Sequence, residues 1–459
     1  MDLLAPFSRK IIAPLWATWE RSLYLRHYNC MLRTQFDSPK QIKVKQETLL
    51  KSIITHAYRT TQFWKERLET AGIHPDEVNQ LADLSRLPLL TKNDLRAHGE
   101  RMVSSAYNKA ELHLKRTSGS TGVPVQVYVD DDAGQFKRGA TLRADEWSGW
   151  RLGDRKAIIW GNPAGELRMH TWRGRLRNRL LERTVFLDCL DADETSFENF
   201  AILLRKLQPK LLFGHAHSLY LFARYLQSHG PEDIRPRGII SAAMVLHDWE
   251  RQTIEDVFQC PVTNRYGCEE VSLIACECER HNGLHINSDG IAVEILRPDG
   301  TAANPGEPGM IIVTDLVNHA MPIIRYKIGD MGSLADHTCP CGRGLPLLND
   351  IQGRVADYIV TPDGKYVSGI SLTDHFNTKI PGVVQMQIIQ EEIDRFVFRI
   401  VKDTEFGPAS QKKIHGLVSE HFGEGVRYEC EFVNRIPQEA SGKYRFCISK
   451  VDKVFEHVQ

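Results

Sequence analysis

Arg116-Thr117-Ser118-Gly119-Ser120-Thr121-Gly122-Val123-Pro124-Val125 sets the frame for the whole chain. From Thr117 to Gly122 it holds four hydroxyl side chains and two glycines. Glycine tolerates positive φ, so the backbone can curl and turn several amide N–H groups to one side. Hydroxyls add donors, and such a concavity suits a phosphate. Before the loop, Leu112 and Leu114 alternate with His113 and Lys115. After it, Val123, Val125, Val127 and Val129 alternate with Pro124, Gln126, Tyr128 and Asp130. Period two on both sides predicts two strands joined by the loop. A Walker loop needs Gly-Lys-Ser/Thr running into a helix, and a dinucleotide fingerprint also opens a helix. Neither is present. Ser/Gly-rich hairpin loops are often plain turns, so the rest of the chain has to decide.

With 459 residues the chain is long enough for a large core and more than one domain. Its 42% hydrophobic and 25% charged content is ordinary for a soluble globular protein. Basic and acidic residues balance at 58 each, so no global field draws it to nucleic acid or an anionic membrane. No apolar run reaches the length of about 18 residues that an integral membrane segment needs. The stretch Met1 to Trp16 is apolar but broken by Arg9 and Lys10, with no small-residue cleavage site, and makes a poor signal peptide. Four of the ten cysteines sit in Cys-x-Cys pairs, a usage expected of reduced thiols in the cytoplasm. A homodimer is compatible with all of this.

Residues 1–110 read as a helical lead-in. Trp16, Trp19, Leu23, Leu25 and Tyr28 mark one amphipathic face, and Leu49, Leu50, Ile53, Ile54 and Ala57 another, both expected to pack on a core. Thr91, in Leu89-Leu90-Thr91-Lys92-Asn93-Asp94, is the expected N-cap of a helix. From about 108 to 353, short apolar strands alternate with helices: Ala157–Trp160, Lys210–Gly214 and Gly238–Ser241 are strands, with helices over Ser218–His229 and Trp249–Phe258. That alternation predicts an α/β domain with parallel strands, whose carboxyl ends bind ligands. Arg168 to Arg183 is basic and reads as a solvated helical excursion. From about 355 the pattern changes to strands over Gln385–Gln390, Arg395–Val401 and Tyr428–Val433 with a helix over Ala409–Phe422, a small α+β domain. The division expected is 1–110, 111–354 and 355–459.

Four further motifs follow the hydroxyl loop in order: Tyr266-Gly267-Cys268-Glu269-Glu270, Arg325-Tyr326-Lys327-Ile328-Gly329-Asp330, Gly353-Arg354 and Ser441-Gly442-Lys443. Any one of them is a common short match. All five in this order, from 117 to 443, resemble the adenylate-forming superfamily of acyl-CoA synthetases, adenylation domains and luciferases. The likeness is greatest to its phenylacetate–CoA ligase branch, which also holds proteins linked to capsular polysaccharide synthesis. The resemblance implies a large multi-sheet N-terminal adenylation domain and a mobile C-terminal α+β domain.

It also implies roles. Thr117, Ser118, Gly119, Ser120, Thr121 and Gly122 would hold the phosphates of ATP. Tyr266, with Gly267 and Glu269 beside it, would stack on adenine, backed by Ser241 to Met244. Asp330 would accept hydrogen bonds from the ribose hydroxyls, and Arg354 would contact ribose or phosphate. Glu270 would hold Mg²⁺, and Lys443 would neutralise charge building at the α-phosphate. The physics agrees: a carboxylate attacking the α-phosphate of ATP joins two anions, so positioning and cations supply most of the catalysis. The acyl-adenylate would then pass to coenzyme A or to another acceptor, with an aryl or arylacetic acid as substrate by family analogy.

Two departures stand out. Ser241-Ala242-Ala243-Met244 lacks an acidic residue common in the superfamily, and Ala356 occupies the usual hinge position of Gly353-Arg354-Val355-Ala356-Asp357. Trp160, Phe213, His215 and His217 lie near strand ends, where an acid pocket and core packing explain them equally.

Cys276-Glu-Cys278-Glu-Arg-His281-Asn-Gly-Leu-His285 and Cys339-Pro-Cys341-Gly342 are rich in soft ligands. Three cysteines and a histidine are an ordinary closed structural zinc set. Resemblance to the same branch selects Cys278, His285, Cys339 and Cys341, with Cys276 and His281 as alternates. Two other readings remain: adenylation with an amine, hydroxyl or carrier-protein thiol as acceptor, and a non-catalytic, zinc-containing nucleotide-binding protein. Retention of both Glu270 and Lys443 speaks against the last.

Overall fold

The computed structural model describes every residue except Met1, Leu3 and positions 117–124, 162–170, 190–192, 231–232, 355–357, 363–365, 369–371, 373–375, 377–378, 424, 438–444 and 452–459. Helical turns over Leu4–Phe7, Ser8–Ile12 and Ala13–Trp19 lead into helices Tyr24–Thr34, Pro39–Thr60, Gln62–Thr70 and Lys92–Met102. Caps fix their starts. Ser38 accepts from the Gln41 N–H with Pro39 at the first helical position, and Thr91, the N-cap that the sequence predicts, forms a reciprocal box with Asp94. Leu50, Ile53, Ile54 and Ala57 are buried, as their spacing predicts. The first face behaves otherwise. Tyr28 is buried, but Trp19 is 59% and Leu23 45% exposed, because the small residues Ala13 and Ala17 face the interior instead.

The strands run in chain order as β1 (His113–Arg116), β2 (Gln126–Val129), β3 (Lys156–Trp160), β4 (Thr184–Asp188), β5 (Leu211–His215), β6 (Gly238–Ala242), β7 (Val262–Cys268), β8 (Ser272–Glu277), β9 (Leu284–Ile286), β10 (Ile291–Leu296), β11 (Gly309–Asp315), β12 (Tyr326–Leu334) and β13 (Leu347–Arg354). Beyond them lie β14 (Tyr358–Val360), β15 (Tyr366–Ser368), β16 (Val383–Glu392), β17 (Arg395–Lys402), β18 (Arg427–Phe432) and β19 (Cys447–Ser449). β1 and β2 pair antiparallel, with Arg116 opposite Gln126, so the strands flanking the hydroxyl loop are as expected. The loop itself lies outside the described residues.

Among the described residues the main sheet has the order β10-β11-β12-β13-β9-β8-β7-β6-β5-β3-β4. β4, β3, β5, β6 and β7 are parallel neighbours. They are joined by helices Glu194–Leu207, Ala216–His229 and Asp248–Phe258, as strand–helix alternation requires. β6 is buried along its full length, covered on both faces. The alternation ends at β7. From there to β13 the chain is an antiparallel run with no crossover helix among the described residues, unlike the continuous α/β pattern expected to 353. Short strands with few helical periods between them carry no sequence mark of this change.

Register shifts at Tyr266/Gly267 in β7–β8 and at Met331/Gly332 in β12–β13 bend this half of the sheet. Tyr266 and Tyr326, on strands far apart in the sheet order, consequently meet in one core with Val271, Ile274, Leu284 and Leu348. The final unit is an α+β layer: β18-β17-β16-β19 packed on helix Pro408–Phe422 through Ile388, Phe396, Phe398, Ile414 and Phe422.

Candidate functional site

The bent sheet brings three of the five motifs together. Tyr266 ends the regular part of β7, and its hydroxyl donates to Asp330 Oδ2 at 2.8 Å. The turn after β7 carries Glu270, whose Oε1 accepts from the Tyr326 hydroxyl at 2.9 Å. Glu270 is buried, while its neighbour Glu269 is exposed at the turn. Burial, and then the Glu270 charge, hold the Tyr326 phenol well above its ordinary pKa, so it stays a donor. Gly267 is required here: a Cβ at that position would lie 2.4 Å from the Ser272 carbonyl oxygen. Asp330 faces Arg354 directly across β12 and β13 by backbone register. Tyr266, Glu270, Asp330 and the Arg354 backbone therefore border one region. Lys443 lies outside the described residues, in the segment between Ile436 and β19, which pairs parallel with β16.

Arg325 of the third motif has a different task. Its guanidinium is tied to Glu294 at 2.8 Å and to the Ser85 carbonyl at 3.2 Å. Leu90 bridges the same segment, its N–H donating to the Arg325 carbonyl and its carbonyl accepting from the Lys327 N–H, both at 2.9 Å. The Pro-Leu-Leu-Thr-Lys stretch of the lead-in is thus stitched to the strand that carries Asp330.

Sequence reading missed Lys115, which closes the apolar alternation just before the loop. Its ammonium donates to Ser272 Oγ at 2.8 Å. Burial, and then the nearby positive charge of Lys137, hold its pKa below the usual lysine range. Lys137 is itself buried against Asp315, at 2.5 Å. A lysine at the base of a hydroxyl loop was the available signal.

At the carboxyl ends of the parallel strands, the Ser241 hydroxyl is buried without a hydrogen-bond partner among the described residues. Ala243, two residues on, has φ +66°, a left-handed conformation costly for a residue with a Cβ. Both observations fall where the sequence places the far wall of the adenine site. Trp160 stacks on Phe213 at 5.3 Å and lies 3.8 Å from the His215 ring. His217 pairs with Glu250 at 3.0 Å and with Gln385 of β16 at 3.1 Å, so it touches the C-terminal unit.

The four cysteine and histidine ligands chosen from the sequence converge. The ligand atoms of Cys278, His285, Cys339 and Cys341 all lie within 4.8 Å of one another. Cys278 Sγ is 3.6 Å from Cys339 Sγ, and Cys341 Sγ is 3.3 Å from His285 Nε2. Tetrahedral Zn–S and Zn–N bonds would separate such ligand atoms by about 3.5–3.8 Å, so the donor set fits the ion. His285 Nδ1 faces the Leu345 carbonyl at 3.3 Å, which leaves Nε2 for the cluster. The Arg280 and Arg343 amides donate to Cys278 and Cys341 sulfurs at 3.4 Å. The alternates stand apart: the Cys276 thiol sits against the Arg265 guanidinium, and His281 pairs with Glu277 at 3.2 Å.

Residues 359–450 match the model of the CapK C-terminal domain. Protein CapK of Staphylococcus aureus is 25% identical over 406 residues, 86% of either chain. Phenylacetate-coenzyme A ligase of Thermus thermophilus is 26% identical over 330 residues, 70% of this chain and 72% of its own. Among solved structures, 2-hydroxyisobutyryl-CoA ligase in the postadenylation state in complex with R3-HIB-AMP superimposes with a TM-score of 0.70, at 20% identity over 88% of this chain and 89% of its own. The chain therefore has the fold of that CoA ligase and is similar in sequence to CapK and to phenylacetate-coenzyme A ligases. No helix among the described residues is long and apolar enough to cross a membrane.

Proposed function

We propose that this protein is an ATP-dependent acid–CoA ligase: it activates a carboxylic acid as its acyl-adenylate and transfers the acyl group to coenzyme A. The observation that carries this is the pair of tyrosine–carboxylate hydrogen bonds, Tyr266–Asp330 and Tyr326–Glu270, which draw motifs remote in sequence into one region. The names of the phenylacetate-coenzyme A ligase relatives support the reaction and the acceptor. An aryl or arylacetic acid is the substrate class that follows.

In the first step a carboxylate oxygen bonds to the α-phosphorus while the bond to the β-phosphate oxygen breaks and pyrophosphate leaves. Thr117 to Gly122 would cradle the departing phosphates, with Lys115 adding a cation at the loop's base. Asp330 exchanges its bond from Tyr266 for the ribose hydroxyls, and Arg354 lies beside it to contact ribose or phosphate. The Tyr266 ring, with Gly267 and Glu269 following, lines the adenine side. Glu270 would hold Mg²⁺, a hard cation that takes oxygen ligands and would supply positive charge to the phosphates. Lys443, delivered by the 355–459 unit, would neutralise charge at the α-phosphate. In the second step a thiolate attacks the acyl carbonyl and AMP leaves, with the C-terminal unit turned so that Lys443 is withdrawn. Cys278, His285, Cys339 and Cys341 would hold one closed zinc ion that staples β8–β9 to the segment before β13, a folding role. The described thiols form no disulfide, in keeping with a cytoplasmic site of action.

A second acceptor reading has its own support. CapK matches a larger share of the chain than the Thermus thermophilus ligase does, and its C-terminal domain is the one matched at 359–450. An amine, hydroxyl or carrier-protein thiol in place of coenzyme A is that reading. The test is ATP–pyrophosphate exchange over a panel of carboxylic acids, followed by addition of coenzyme A to the acids that respond. Exchange with thioester formation is expected. Exchange without thioester moves the case to the second acceptor class, and no exchange with any acid contradicts adenylation.

A further inference from the structure

We propose that the outer flank of the N-terminal helical segment, with the short helix Trp172–Arg177 beside it, docks on an anionic lipid bilayer. An amphipathic helix normally turns its large apolar side chains inward. Here the order is inverted. Ala5, Ser8, Ala13 and Ala17 are buried, whereas Phe7, Ile11, Leu15 and Trp19 are 49%, 45%, 67% and 59% exposed. The four exposed residues are spaced by four, so they form one stripe along the helix. The small inner residues permit a close seat: the Ser8 hydroxyl donates to the Leu180 carbonyl, and a Cβ at Gly153 would lie 2.7 Å from the Ala5 carbonyl oxygen. The helix cannot roll its large side chains inward without losing that fit.

The stripe continues onto the neighbouring helix. Trp172 is 64% and Leu176 41% exposed, and the Arg173 guanidinium lies 5.5 Å from the Trp19 ring and 5.4 Å from the Trp172 ring. Around it Lys10, Arg21, Arg173, Arg175 and Arg179 are exposed. The bordering acids are already engaged: Arg177 pairs with Glu20 at 2.6 Å and with Glu182 at 2.8 Å, and Arg183 with Asp2 at 2.7 Å. A chain that is neutral overall thus carries a local patch that is apolar along its length and basic at its rim.

Charge complementarity selects the occupant. Anionic headgroups attract a basic rim, indole rings favour the headgroup level, and a single helix flank matches the shallow depth at which interfacial helices lie. A second copy of the chain seated on the same flank would bring two basic rims together. The structure has no spanning helix among the described residues, so the protein would lie on the bilayer. None of these residues belongs to the nucleotide crevice, and the inference stands apart from the proposed reaction.

The test is co-sedimentation of the full chain with vesicles of phosphatidylcholine alone and with about 30% phosphatidylglycerol, at about 50 and about 500 mM salt. Binding at least about tenfold stronger to the anionic vesicles at low salt, and lost at high salt, is expected. Substituting Phe7→Ser, Ile11→Ser, Leu15→Ser and Trp19→Ser together should cut it by about tenfold or more with an unchanged unfolding midpoint. Arg173→Glu, Arg175→Glu and Arg179→Glu should erase the preference for anionic vesicles. Equal or absent sedimentation with the two vesicle types, or stripe variants that bind like the parent, overturns the proposal. So does a dimer in light scattering that the stripe substitutions dissolve, because a second copy then covers the face.

Discussion

The proposed nucleotide site and the cysteine cluster were both marked by short motifs, yet the fold assembles them differently. At the cluster, four side chains from two hairpin segments converge, their ligand atoms all within 4.8 Å of one another. At the other site the carboxylates lie on the turn after β7 and on β12, and the tyrosines of β7 and β12 bond to them in pairs. The cluster is complete in itself and suits an ion that never leaves. The proposed nucleotide site satisfies buried Glu270 and half-buried Asp330 with phenols, neutral donors that a substrate can displace, which suits a ligand that comes and goes. In the function proposed, one site would fix structure and the other would exchange partners.

That contrast can be broken at either end. The largest effect belongs to the crevice: Lys443→Ala should lower pyrophosphate exchange by about 10³-fold while ATP binding changes little, since the amine acts on charge that appears in the transition state. Undiminished exchange would remove its role. Next is the cluster, where purified protein should carry about one zinc per chain by metal analysis, and Cys341→Ser or chelation should cost about 3 kcal/mol of unfolding free energy. Absence of metal, or an unchanged denaturation curve after its removal, would erase the distinction between the two sites. A smaller change follows at the ribose: Asp330→Asn should raise KM for ATP about tenfold, with fold and zinc content kept. The least is expected of Lys115→Met, about three- to tenfold in kcat/KM, because the cation is one of several facing the phosphates. A loss as large as that of Lys443→Ala would promote Lys115 to the main cation.

Legibility followed the reach of local chemistry. Period two around the hydroxyl loop gave β1 and β2, and Thr91 with Asp94 gave a helix start, because each depends on neighbours a few residues away. Cys278, just past the end of β8 at Glu277, is the cysteine that groups with His285, Cys339 and Cys341. The bend of β7 to β13 was hidden, since register shifts at Tyr266/Gly267 and Met331/Gly332 leave no period in the sequence. Trp19 misled for a related reason. Helical spacing says which residues share a face, but whether that face turns inward was settled by Ala13, Ala17 and Gly153. Lys115 passed unnoticed because a polar residue in a strand looks like alternation until its neighbours in space are known.

The central claim is that one ATP spans the crevice from the loop 117–122 to Asp330. A crystal structure with a non-hydrolysable ATP analogue tests it most directly. The ribose hydroxyls should lie within hydrogen-bond distance of Asp330, with the Tyr266 ring against adenine and the phosphates on Thr117 to Gly122. Nucleotide bound elsewhere, with Tyr266 still donating to Asp330 and the loop clear of phosphate, would contradict the account.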